Sequence, residues 1–209
     1  MADELISLAA VRATVAARAE GRSRTIVGLV GPPGAGKTHV ARALAGVLPV
    51  AVVPMDGFHL PNRELARLGR VERKGAPDTF DVEAFVELLT ALRAADAPVV
   101  APSFSRRTDE PIAGAVVVEQ SVRTVVVEGN YLLLDEPPWS RVASLIDVTM
   151  FVDAPCDVRR DRLLIRQERR FGDREAARRW VDEVDEPNAR LVEATRSRAD
   201  HVVALEGSR

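Results

Sequence analysis

Residues 31–38 read GPPGAGKT, which satisfies glycine, four residues, glycine, lysine and a hydroxyl residue at every position. Gly31, Gly34 and Gly36 allow backbone dihedrals that other residues resist, so successive N–H groups can turn toward one point. Such a loop, completed by Pro32, Pro33 and Ala35, holds phosphate oxygens. Lys37 brings an ammonium within reach of the β- and γ-phosphates of a nucleoside triphosphate, and the Thr38 hydroxyl can enter the shell of a Mg2+ ion. A helix beginning near Lys37 adds its positive end. His39 follows directly and is carried with this set, its alternative being a structural residue of that helix.

A second chemical residue stands where an apolar run breaks off, in VVPMDGFHLPN (52–62). A strand there, following the phosphate-binding helix in a right-handed βαβ unit, opens its carboxyl end onto the same crevice as the first strand. Asp56 then faces Lys37 and can accept a proton from an attacking hydroxyl or help hold Mg2+. The alternative is a turn residue. Gly57 lets the chain turn away, and Phe58 and His59 offer surfaces to a small ligand, with packing as the alternative for the histidine. Glu128 closes VVVEG at a strand end, where an acid holds a metal or its bound water. Capping of the next turn is its alternative, and Asp153 is a competitor for the same role.

Alternating elements supply these positions. Residues 3–19 and 38–48 space their apolar residues as helices, as do 82–95, where Asp81 can cap, and about 157–171, where Asp157 can cap; another helix covers roughly 174–197. Strands are expected at 25–30, 50–54, 99–102, 115–120, 124–129, 147–153 and 201–206. Their continuous Val, Ile and Leu content argues for a mostly parallel sheet covered on both faces. The 209 residues read as a single domain, 1–209, with mobile insertions at 57–81 and 158–180.

Composition narrows the function. The net charge of −2 gives no global attraction to nucleic acid or membrane, and no apolar stretch of about 18 residues is present. Asp3 and Glu4 stand where a signal peptide wants positive charge, so a cytoplasmic location is expected. Cys156, the only cysteine, excludes an internal disulfide and a thiolate zinc site, and an inert, partly buried thiol is expected. Only two of the 29 basic residues are lysines, at 37 and 74, so a site keeping lysine in so arginine-rich a chain needs a compact ammonium. Nine arginines fall between 159 and 179, interleaved with acids at 161, 168, 173 and 175, which disfavours a nucleic-acid helix. Arg162, Arg166 and Arg170 recur at helical steps, and one or two of them, Arg166 first, can stabilise charge on a transferring phosphoryl group. Gly172 is a hinge for closing that segment over the site.

The set GPPGAGKT, MDGFHL, RKGAPDTFD (73–81), PSFSRRTDEP (102–111), VEGNYLLL (127–134) and RLLIR (162–166) resembles the P-loop kinases of the phosphoribulokinase/uridine kinase group. It is most similar to the pantothenate-kinase-like "nucleoside/nucleotide kinase family" branch, some of whose members are labelled fructose transport system kinases. The likeness runs from about residue 24 to 205 in order. It implies an α/β P-loop NTPase three-layer sandwich with a five-stranded core sheet and an Arg-rich lid over 158–180. It also implies an ATP- and Mg2+-dependent kinase acting on a hydroxyl of a small metabolite, with Asp56 as base and Arg162 and Arg166 in the lid. The same likeness gives acceptor-side roles to Asp78, Phe80, Arg106 and Asn188, each with loop architecture as its alternative. MDGF is closer to the pantothenate-kinase pattern than to the Asp-Ser-Phe-Tyr of uridine kinases. Nucleoside, pantothenate-like and sugar acceptors all remain drawable. A homodimer is the default oligomer. The competing function is a P-loop switch or energy-coupling ATPase or GTPase, but neither lysine follows an Asn as a guanine-reading Asn-Lys-x-Asp requires, and no Leu-Ser-Gly-Gly occurs. A third reading is a catalytically silent binding module.

Overall fold

In the computed structural model, which describes residues 5–6 and 8–204, helices and strands alternate along the chain. The strands are β1 (Leu5–Ile6), β2 (Thr25–Val30), β3 (Val50–Pro54), β4 (Val99–Ser105), β5 (Glu110–Val118), β6 (Thr124–Gly129), β7 (Val148–Asp153) and β8 (His201–Ala204). The helices are α1 (Leu8–Ala19), α2 (Lys37–Ala45), α3 (Asn62–Arg67), α4 (Val82–Ala94), α5 (Ser140–Ala143), α6 (Cys156–Phe171), α7 (Arg174–Trp180) and α8 (Glu186–Glu193). A π-helical turn, Val181–Asp185, joins the last two.

Five parallel strands in the order β8-β7-β2-β6-β3 form the expected core sheet, and β1 adds a two-residue sixth strand beside β8. The central strands β2 and β6 are buried along their whole length, as the unbroken runs TIVGLV and TVVVEG require of strands covered on both faces. Alternate residues divide between two cores. Val27, Leu29, Val126, Met150 and Val152 pack with Val11 and Val15 of α1 and with Val40 and Leu44 of α2. Ile26, Val30, Val53, Val125, Val127 and Phe151 pack with Phe85, Leu89 and Leu92 of α4 and with Val142 and Val192. The result is a three-layer α/β sandwich.

Register then positions the chemistry. Leu29 pairs with Glu128, and Glu128 pairs with Pro54, so three adjacent strands end level with one another. Residues 31, 56 and 130 therefore leave the sheet at one edge.

Some expectations change. Leu5 and Ile6, read as the start of a helix over 3–19, form a strand because β8 offers them a parallel edge; residues 3, 4 and 7 lie outside the described residues, as do 205 and 206 of the last strand. Strands β4 and β5 stand apart as an antiparallel hairpin. Helix α6 starts after Pro155, so Asp157 lies in its first turn, accepting from the Val158 N–H, and does not cap it. The expected helix over 174–197 is divided into α7, the π-turn, α8 and a short 3-10 turn. Asp81 does cap α4, accepting from the Ala84 N–H at 3.0 Å. Cys156 is exposed, because the first turn of α6 faces solvent.

The hairpin is seated against the short 3-10 turn Met55–Phe58 that follows β3. A Cβ on Gly57 would lie 2.5 Å from the carbonyl oxygen of Pro102 and 2.6 Å from its carbon. Backbone meets backbone there, and no side-chain rotamer can relieve the clash. Gly57→Ala is expected to lower stability by about 1–3 kcal/mol, measured by urea denaturation. An unchanged midpoint would show that the hairpin is not held at this point.

Candidate active site

The phosphate loop leaves β2 and returns as α2. Gly34 and Gly36 have φ of 79° and 103°, conformations that side chains resist. Because α2 starts at Lys37, the N–H groups of Lys37 and Thr38 have no acceptor within the helix. The Lys37 side chain turns back over the loop. Its ammonium donates to Gly31 O at 2.8 Å, Pro32 O at 3.2 Å and Asn130 Oδ1 at 2.6 Å. Thr38 Oγ1 donates to Glu128 Oε1 at 2.9 Å, which sets the loop hydroxyl beside the acid at the end of β6.

Charges converge here. Lys37 is buried, and loss of water pulls its pKa down to about 8, against the opposing pull of Glu128 and Asp56. Glu128 is buried too; its carboxyl is pushed up by desolvation and then by Asp56, with Lys37 and the Thr38 hydroxyl acting the other way. Arg166 keeps solvent-exposed surface, yet the protein packed around its guanidinium, and then Arg106, hold its pKa below the ordinary arginine value. Asp56, Asp185 and Glu128 oppose that shift. Lys37, Asp56, Glu128, Arg106 and Arg166 therefore share one electrostatic environment, drawn from the loop, the β3 turn, β6, the hairpin tip and α6.

Other expected site residues lie elsewhere or are engaged. Arg162 donates to Gly34 O at 3.1 Å and Ala35 O at 3.4 Å, so it grips the loop's carbonyls. Arg170, expected with Arg162 and Arg166 at the nucleotide phosphates, bonds Asp109 of the hairpin at 2.9 Å and lies over the rings of Trp180 and Phe171. The far end of α6 is thereby tied to the hairpin tip, where Asp109 also takes the ammonium of Lys74. His39 sits exposed on α2. Phe58 is buried against Phe85, with ring centroids 5.0 Å apart. His59 is sandwiched by Phe80 at 4.0 Å and Phe104 at 4.8 Å, and its Nδ1 is 2.8 Å from the Asp56 carbonyl. Burial pulls its pKa down, which favours the neutral ring. The imidazole packs in the turn that carries Asp56 and, with Phe58, also lines a cavity of about 360 Å³ beside Pro102. Phe80 is buried among His59, Tyr131 and Trp139. The Asp78 carboxylate is taken up at the surface by Arg73 at 2.6 Å and Arg70 at 3.3 Å, which fastens its own loop. Asn188 is buried in α8.

Three residues of this region are missing from the expected set. Asn130 takes the shortest of the Lys37 bonds; its signal was its place two residues beyond Glu128, just past a buried strand. Asp185 accepts from Gln167 Nε2 at 2.9 Å in the π-turn, and burial raises its pKa to about 6 despite Gln167, Arg166 and Arg170. A π-turn often marks a functional position, but nothing in residues 181–185 announces one. Arg159 is the third, buried in α6 among arginines that the sequence cannot distinguish.

The family model for the Phosphoribulokinase / Uridine kinase family matches residues 26–207. The chain belongs to that family. It is 40% identical to the solved structure designated a fructose transport system kinase from Silicibacter sp. TM1040, with a TM-score of 0.86 over 94% of this chain and 98% of that one. It is 33% identical to the uncharacterized protein YggC of Escherichia coli (strain K12) over 87% of this chain and 78% of that protein. Against the pantothenate kinase of Nocardioides sp. it is 31% identical over 87% of this chain, spanning 66% of that enzyme. The fold is that of a P-loop kinase. Among the described residues, no helix is long and apolar enough to cross a membrane.

Because the Lys37 pKa lies near 8 and an anion bound beside it raises that value, binding at the loop takes up a proton above pH 8. Above pH 8, where the phosphates of ADP are fully ionised, the affinity for ADP is therefore expected to fall by up to about tenfold per pH unit. Calorimetric titration across pH 6–10 checks this. A flat profile would mean that Lys37 does not contact the phosphates.

Proposed function

We propose that this protein transfers the γ-phosphate of ATP to a hydroxyl of a small metabolite, with Asp56 as general base. The observation that carries the reading is the shared environment of Lys37, Glu128 and Asp56 at the level ends of β2, β6 and β3. Family membership and the kinase designations of relatives support the same chemistry.

In the proposed reaction the acceptor oxygen forms a bond to the γ-phosphorus as the bond to the β,γ-bridging oxygen breaks, and the hydroxyl proton passes to the Asp56 carboxylate. Lys37 stays cationic at neutral pH and offsets charge on the phosphates, with Arg166 as a second cation. Thr38 Oγ1 and the Glu128 carboxylate fit Mg2+: they are oxygen donors in direct contact, and no group of three acidic, imidazole or thiol side chains forms a cage among the described residues. Thr38 and Glu128 would hold the ion, which when bound would neutralise charge on the phosphates. Within the lid segment 158–180, Arg159 and Arg162 stay on the loop while the part beyond them closes the site, with Gly172 (φ of 65°) as its hinge. Arg106 and Asn188 face the acceptor, whose class is a nucleoside, a pantothenate-like alcohol or a sugar.

Two measurements test this. ADP release should rise steeply when one of these acceptor classes is added to protein and MgATP; turnover indifferent to all of them would favour an ATPase or GTPase switch. Asp56→Asn should retain ADP affinity and lose about a thousandfold in acceptor-dependent rate. Transfer at the wild-type rate would return Asp56 to the status of a turn residue.

A further inference from the structure

Arg159 is the largest fully buried side chain among the described residues, at 1% exposure. Its position is poor for stability. The Nε has no hydrogen-bond partner, and the nearby Glu186 Oε1, 3.6 Å from Nη1, is also buried without one. A half-satisfied buried charge is commonly matched or bettered by an apolar side chain of similar volume. An arginine at this position calls for another reason.

That reason lies on the outer side of the phosphate loop. Arg159 Nη1 donates to Pro33 O at 3.3 Å, while Nη2 is held by Glu193 of α8 at 2.9 Å. One turn further along α6, Arg162 takes the next two carbonyls, Gly34 O and Ala35 O. Three consecutive loop carbonyls thus point at two guanidinium groups. A trans peptide is planar, so its N–H points opposite to its C=O. Drawing the carbonyls of Pro33 and Ala35 toward α6 therefore sends the N–H groups of Gly34 and Gly36 the other way. A cation at the oxygen end of each peptide also strengthens the positive end of its dipole. The fit is close: a Cβ on Gly34 would lie 2.8 Å from Arg159 O and 3.2 Å from Leu163 Cγ.

We propose that Arg159 is a positioning residue of the phosphate loop, bracing its carbonyl face, with Arg162, so that the loop's N–H groups are oriented for an anion, and anchoring that brace to α8. This rests on reading residues 31–38 as the nucleotide cradle. The probe is MgADP. Arg159→Met alone would leave the buried Glu186 carboxylate with only the longer 3.9 Å contact to Arg160, so the informative protein is the double variant Arg159→Met/Glu186→Gln, compared with Arg159→Lys. The double variant is expected to keep the wild-type Tm or exceed it, to bind MgADP about tenfold more weakly, and to exchange the Gly34 and Gly36 amide protons faster. Arg159→Lys, which lacks the fork needed to reach Pro33 and Glu193 together, should restore at most part of the affinity. MgADP affinity within twofold of wild type in the double variant would overturn the brace, as would an affinity loss matched by a fall in Tm. Wild-type protein that does not bind MgADP would overturn the cradle reading and the brace together.

Discussion

An ammonium group taken out of water tends to give up its proton, and the crevice of this protein is organised against that tendency. Lys37 is 8% exposed, yet two loop carbonyls and Asn130 saturate its donors, while Glu128 and Asp56 supply the negative charge that restrains the fall of its pKa. The benefit is mutual, since Lys37 also restrains the rise of the Glu128 pKa. Neither partner would hold its charge as well in the same place without the other.

That balance requires three chain segments, remote in sequence, to end at one level. Parallel pairing achieves it: hydrogen bonding fixes β2 against β6 and β6 against β3 residue by residue, and a slip of one position would move each functional residue to the opposite face. The turn carrying Asp56 needs separate support because it lies beyond the sheet. His59, clasped between Phe80 and Phe104, ties that turn to the 57–81 segment and to the hairpin, and Gly57 lets Pro102 approach closely. The aromatic side chains that line the cavity beside this turn thus also hold the carboxylate in place. On the other side, Arg170 and Lys74 meet at Asp109, itself at a φ of 53°, and span from α6 to the hairpin tip.

The fold was legible to the extent that it depended on local pattern. TIVGLV and TVVVEG are apolar at every position but one or two, which only a doubly covered strand tolerates, and Asp81 three residues before Ala84 announced a helix start. The nucleotide side of the site was legible for the same reason, because its loop is contiguous. Charged residues without a contiguous motif were less legible: Asp78, expected on the acceptor side, and Arg170, expected on the nucleotide side, are paired in the folded chain with Arg73 and Asp109.

By itself the sequence determined the phosphate loop, the parallel sheet and the acid at the end of each neighbouring strand, since all three are written in consecutive residues whose backbone preferences are local. Only the tertiary structure decided which arginines of α6 turn inward, that Asn130 and Asp185 enter the crevice, and that the aromatic residues near Asp56 pack on one another. Those outcomes depend on pairing between groups dozens of residues apart, and nine arginines within one short segment look alike until a fold gives each a different partner.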